Sequence, residues 1–214
     1  MNTSPSPLSS LRALLPHRVV NFAEALQIAE QQARRLVDLI NDVDGIQELH
    51  VAAMPRIRVV HEVLPVSGLS YWNGKHWVIA LSKTESVARQ RFTLLHEFKH
   101  IVDHGSTDLL YAGDRRHTAE QQAESAADYF AGCALVDKRA LKSAWGNGVQ
   151  RVEDLASQFS VSVDAMRVRL SQTGLDVIVD KVPAPRCARP VATPRSKAQR
   201  FRAARPRYSH RRYA

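Results

Sequence analysis

Cysteine is scarce: Cys133 and Cys187 are the two in 214 residues, and they lie in different segments. A disulfide framework is therefore not expected, and a reducing compartment is. Long apolar runs are missing as well. The N-terminal stretch MNTSPSPLSSLRALLPHR lacks the basic start and apolar run of a secretory signal. No segment approaches the apolar length that a bilayer crossing needs. The sequence thus predicts a cytoplasmic chain with no membrane contact. Acidic residues are absent from one end: Lys181 to Ala214 holds eleven Lys or Arg and no Asp or Glu. The net charge of +9 belongs to that tail, because residues 1–180 carry 19 basic against 21 acidic side chains. The chain reads as a near-neutral body with a basic extension. No internal repeat is visible.

What is present is enough for one domain. Apolar residues make up 44%, sufficient for a core at this length. Residues 1–16, rich in Ser and Pro, read as a flexible N-terminus. Residues 17–48 hold an N-terminal helix, with Phe22, Leu26, Ala29, Ala33, Leu36, Val37 and Ile40 at helical spacing. A core is expected over 49–147. In it the β-branched stretches RIRVVHEV (56–63) and HWVIALS (76–82) predict a hairpin or small sheet, and Trp72-Asn73-Gly74-Lys75 suits a tight turn. Helices follow over Val87–Val102 and Ala119–Leu135. Residues 148–175 predict a small helix-turn-helix-like pair with Ser162 as N-cap. Residues 176–214, Pro/Arg/Ala-rich, have too few large apolar side chains to offset the entropy of ordering and predict disorder.

The first of those core helices carries RFTLLHEFKHIVDH (91–104). Residues four apart share one helix face. His96 and His100 can therefore aim imidazole nitrogens at one point about 2 Å from each, as zinc ligands do. Glu97, about 100° round the helix, can reach a water at that metal and act as general base during attack on a carbonyl. Alone, the five-residue motif is weak, since it arises by chance in roughly 2% of chains of this composition. The bland alternative is a helix with two solvated histidines. A catalytic zinc also needs a third protein ligand. The Ala119–Leu135 helix offers Glu120, Glu124 and Asp128, and spacing alone does not choose among them.

Taken together, RQRFTLLHEFKHIVDH and the downstream AESAADYFAG resemble the ImmA/IrrE family of zinc metallopeptidases, over roughly residues 50–170. The similarity extends to LPVSGLSYWNGKHWVIALS upstream and FSVSVDAMRVRL downstream. The resemblance implies an α+β, zincin-like fold: a small sheet, an active-site helix, a glutamate helix and a C-terminal helical pair. It implies Zn2+ held by His96, His100 and Glu124, with Glu97 as base. It further implies site-specific cleavage of a protein substrate, a DNA-binding helix-turn-helix repressor, that derepresses mobile-element or stress-response genes. Two departures, Lys99 and Leu135-Val136-Asp137, fall where the family has Gly and a Leu-Met-Pro-like turn. Neither removes a ligand.

A different class of function is also open. A nucleic-acid-binding regulator with a structural or vestigial metal site would use Arg167 and Arg169 on the second helix of the pair. It would also use the tail, where Arg200, Arg202, Arg205, Arg207, Arg211 and Arg212 alternate with Phe201, Tyr208 and Tyr213 and could hold phosphates and stack on bases. Candidates for stabilising an oxyanion are His104, Tyr111, His117 and Tyr129, each with a plainer structural or solvated reading. Asp103 is either a partner orienting a ligand histidine or a helix-end carboxylate.

Overall fold

Strong local signals place the long helices. In the computed structural model, which describes residues 6–175, α1 (Pro7–Arg12) is followed by α2 (Phe22–Ile40), α3 (Glu48–Ala52), β1 (Ile57–Glu62), β2 (Gly68–Trp72) and β3 (Trp77–Ser82). Then come α4 (Val87–Asp103), α5 (Thr107–Leu110), α6 (Ala119–Leu135), α7 (Lys138–Gly146), α8 (Val152–Gln158) and α9 (Val163–Thr173). Ser86 caps α4 by accepting the Arg89 N–H. Thr118 and Gln121 form a reciprocal capping box at the start of α6. Ser162 caps α9 through the Ala165 N–H, as the sequence predicts.

These elements stack in layers. The sheet has the order β1-β3-β2, with β3 central, parallel to β1 and antiparallel to β2. Helix α4 lies against β2 and β3, α6 against α4, and α2 against α6. Close packing follows from the small side chains of α6: Ala126, Ala127, Ala131 and Ala134 are all buried. Phe98 of α4 and Phe130 of α6 meet with ring centroids 6.4 Å apart. The α+β architecture implied by the resemblance is the one observed.

At Gly68 the sheet comes so close to α4 that a Cβ would lie 2.5 Å from the Thr93 methyl and 2.9 Å from the Ala80 carbonyl oxygen. Only glycine fits there without a shift, and this approach brings β2 beside the motif-bearing face of α4.

Several local expectations need correcting. The Trp72–Lys75 turn joins β3 to β2, a strand not foreseen, while β1 pairs with β3 in parallel. Two small residues, Gly68 and Ser70, and exposed Leu69, Tyr71 and Trp72 hide β2 from a hydrophobic pattern. Part of the expected flexible N-terminus is helix α1. Ser6 caps it, Pro7 starts it, and Leu11 is fully buried, while Arg12 donates to the Ile101 carbonyl at 2.7 Å. Helix α7, also unforeseen, is capped by Asp137 and buries Leu141, Ala144 and Trp145. The basic tail, with Arg200, Arg202, Arg205, Arg207, Arg211 and Arg212, lies outside the described residues. Among the described residues, no helix is long and apolar enough to cross a membrane.

Candidate metal centre

Helix α4 presents His96 and His100 one turn apart, and α6 crosses it with Glu124 facing them. One donor atom from each of the three lies within 4.8 Å of the others. Nε2 of His96 is 3.3 Å from one Glu124 carboxylate oxygen, and Nε2 of His100 is 3.3 Å from the other. The two Nε2 atoms are 3.1 Å apart. Glu120, one turn earlier and exposed, stands outside this group.

Asp128, one turn further along α6, takes the remaining nitrogen. Its Oδ1 lies 2.8 Å from Nδ1 of His96. A carboxylate only accepts, so Nδ1 carries the hydrogen and the lone pair of Nε2 points to the shared centre. Spacing had left Asp128 as a rival ligand. Here it lies against the far nitrogen of His96 and outside the group of three, a position that was not anticipated.

The surroundings of the two histidines differ. Burial opposes a charge on His96, but Asp128, Glu124 and Glu97 outweigh it and raise the pKa above that of a free imidazole. For His100, burial and the neighbouring His96 lower it. Two imidazoles and a carboxylate converging in this way match the His2Glu donor set of catalytic zinc, so the residues fit the metal that the resemblance implies.

Glu97 lies beside these donors and reaches the sheet. The Ser70 hydroxyl of β2 donates to its Oε2 at 2.7 Å. Glu97, His96, Glu124 and Asp128 line a cavity of about 350 Å³ together with Ser67, Gly68, Arg89, Phe92 and Thr93. Ser70 is a contributor that no helical motif could reveal.

The family described as the IrrE N-terminal-like domain, a peptidase family, matches residues 57–171, more than half of the chain. The chain belongs to that family. The matched span of this IrrE-like peptidase domain contains the whole cluster. No curated protein gives a match. Among solved structures, a Mycobacterium tuberculosis transcriptional regulator is similar, with 18% identity and a TM-score of 0.48 over 78% of this chain. The alignment spans 52% of that protein, about half its length.

The remaining candidates of the IrrE-like domain sort by environment. Tyr111 is buried and donates to Asp103, and burial followed by that carboxylate drives its pKa far up. Asp103 itself is buried against the Lys99 ammonium at 2.5 Å, so it orients no ligand histidine. His104 caps the end of α4 and packs edge-on against Trp77, centroids 4.7 Å apart. His117 pairs with Asp114 in an exposed loop. Tyr129 donates to Glu30 at 3.0 Å. Arg169 is 3% exposed and donates to the Val136 carbonyl, so it is not available to read DNA; Arg167 is exposed and paired with Asp164.

Proposed function

We propose that this IrrE-like chain is a zinc-dependent endopeptidase. The observation that carries the reading is the convergence of the His96, His100 and Glu124 donor atoms within 4.8 Å, with Glu97 beside them in an open cleft. In this reading those three residues hold the metal. When bound, the metal supplies Lewis-acid chemistry, polarising the scissile carbonyl and making water acidic enough to lose a proton near neutral pH.

The chain's own groups do the rest. The Glu97 carboxylate, held by the Ser70 hydroxyl, accepts the proton of the attacking water and returns it to the leaving amine. Asp128 keeps His96 in one tautomer. Strand β2 forms the outer edge of the sheet among the described residues and borders the cleft through Gly68. Its free backbone edge supports an extended peptide laid alongside it. The substrate class, a DNA-binding repressor, rests on the family resemblance.

The test combines elemental analysis with cleavage of a candidate repressor. Wild type and Glu120→Ala should hold near-stoichiometric zinc, and Glu124→Ala should lose it. Glu97→Gln should keep zinc and lose cleavage by about 10²–10⁴-fold, the usual weight of a positioned base. Unchanged cleavage by Glu97→Gln would remove the mechanism.

The rival reading, a nucleic-acid-binding regulator, loses Arg169 to burial but retains the eleven basic residues of 181–214. Tight DNA binding that weakens steeply with salt, together with no zinc in the wild type, would favour it.

A further inference from the structure

A larger groove opens next to the catalytic cleft. It has a volume of about 640 Å³, within the roughly 300–1,000 Å³ range of ligand sites. Apolar side chains make up much of its walls: Phe22 and Leu26 from α2, Phe92 from α4, Leu135 from α6, and Val161 and Val168 from the α8–α9 segment, with charged Arg89, Asp128 and Asp164 among them. Val168 is 56% exposed. The groove and the cleft share Arg89, Phe92 and Asp128, so the two form one continuous surface. Arg89 stands at the junction, its guanidinium 5.8 Å over the Phe92 ring and within reach of the Ser67 hydroxyl.

Gly132 adds room on the same wall. It lies inside α6 and lines the groove, and a Cβ built there meets nothing within 4 Å. Helix-interior glycine is unfavourable beside alanine. Where glycine is needed for packing, a neighbour fills the space; here the space is left open in front of it. Two of the wall residues, Phe22 and Leu26, also precede the matched span 57–171, so the family domain alone does not build this groove.

We infer that this groove docks an apolar, amphipathic segment of the protein substrate immediately beside the scissile bond, making Phe22, Leu26, Gly132 and Val168 specificity-determining residues. The inference rests on the peptidase reading for the identity of its occupant. A peptide whose carbonyl lies by Glu97 can continue past Arg89 and Phe92, which line both the cleft and the groove. The 350 Å³ cleft is lined largely by charged and polar groups, so apolar burial for affinity has to come from the adjoining groove.

The experiment uses full-length, zinc-loaded Glu97→Gln protein, immobilised and offered randomised synthetic peptides together with a peptide covering residues 176–186. Captured peptides should be enriched in Leu, Phe and Met. Adding Gly132→Phe, which fills the open space, should lower their capture at least about tenfold, the scale of losing one buried apolar anchor. Val168→Asp, at an exposed position, should do the same with an unchanged thermal transition. Equal capture with and without Gly132→Phe and Val168→Asp overturns the inference. So does the 176–186 peptide outcompeting all others, which makes the chain's own segment the occupant. So does a wild-type dimer that Gly132→Phe dissociates, which makes it a second copy. Capture that Gly132→Phe abolishes, with no cleavage of those peptides by the wild type, upholds the docking and removes the peptidase reading instead.

Discussion

Asp128 lies one helical turn beyond Glu124 and holds Nδ1 of His96 at 2.8 Å. One face of α6 thus supplies a donor to the cluster and fixes the tautomer of another. Asp128→Ala is expected to weaken zinc affinity about 10–100-fold, the usual effect of losing such an orienting partner. Its side chain is 62% exposed, so the metal-free protein should melt almost as the wild type does. Competition against a chromophoric chelator measures the affinity. Equal affinities would show that His96 needs no orienting partner.

Ser70 and Glu97 make a second such pair, across the sheet–helix boundary at 2.7 Å. Ser70→Ala leaves the three donors untouched, so zinc content should stay constant. The freed carboxylate should sample other rotamers, lowering kcat several-fold with little change in KM, as expected when a base is less well positioned. A change in KM alone would instead assign Ser70 to substrate binding.

Lys99 and Asp103 form an ion pair that is almost wholly shielded, with side chains 1% and 3% exposed, and Tyr111 donates to the other Asp103 oxygen. Asp103→Ala leaves the ammonium buried without its partner and should destabilise the fold by about 3–5 kcal/mol. Adding Lys99→Met removes that stranded charge and should recover much of the loss. Urea denaturation of the single and double variants reads both values. A double variant no better than Asp103→Ala would refute the explanation.

Cys133 is buried, which pushes its thiol pKa up to about 11, with the nearby Arg169 partly opposing the shift. The unfolded thiol ionises at about 8.5. Between those values the unfolded chain releases a proton that the folded chain keeps. This contribution to stability is therefore complete below pH about 8.5 and declines as pH rises towards 11. Cys133→Ala should flatten that part of the curve when denaturation midpoints are compared across alkaline pH. A parallel decline in both proteins would place its origin elsewhere.

Helices with an unbroken period, α2, α4 and α6, are legible in the sequence to within a residue or two, because one apolar stripe and a polar cap mark each of them. The same holds for Ser162 and the second helix of the pair, which it caps. Strand β2 is not legible, since its pairing with β3 buries little of its own side-chain surface. The parallel β1–β3 ladder joins strands across an intervening one, and no local pattern encodes that. At the candidate site, the spacing of His96, Glu97 and His100 is visible from the chain alone. The choice among Glu120, Glu124 and Asp128, which share one face of α6, depends on where along its length α6 passes α4, a tertiary property. The burial of Lys99 is not legible either, because the Tyr111 hydroxyl that joins its ion pair with Asp103 comes from beyond the end of the helix.

Arg91 lies five residues before His96 on α4, and its guanidinium donates to the carbonyls of Ile46 and Ser160 at 3.1 and 3.0 Å. Ser160 is the left-handed residue in the turn between α8 and α9. The turn is thus tied from inside to the helix bearing His96, Glu97 and His100. Displacing the α8–α9 corner therefore means breaking the hydrogen bonds of one buried cation on the motif helix.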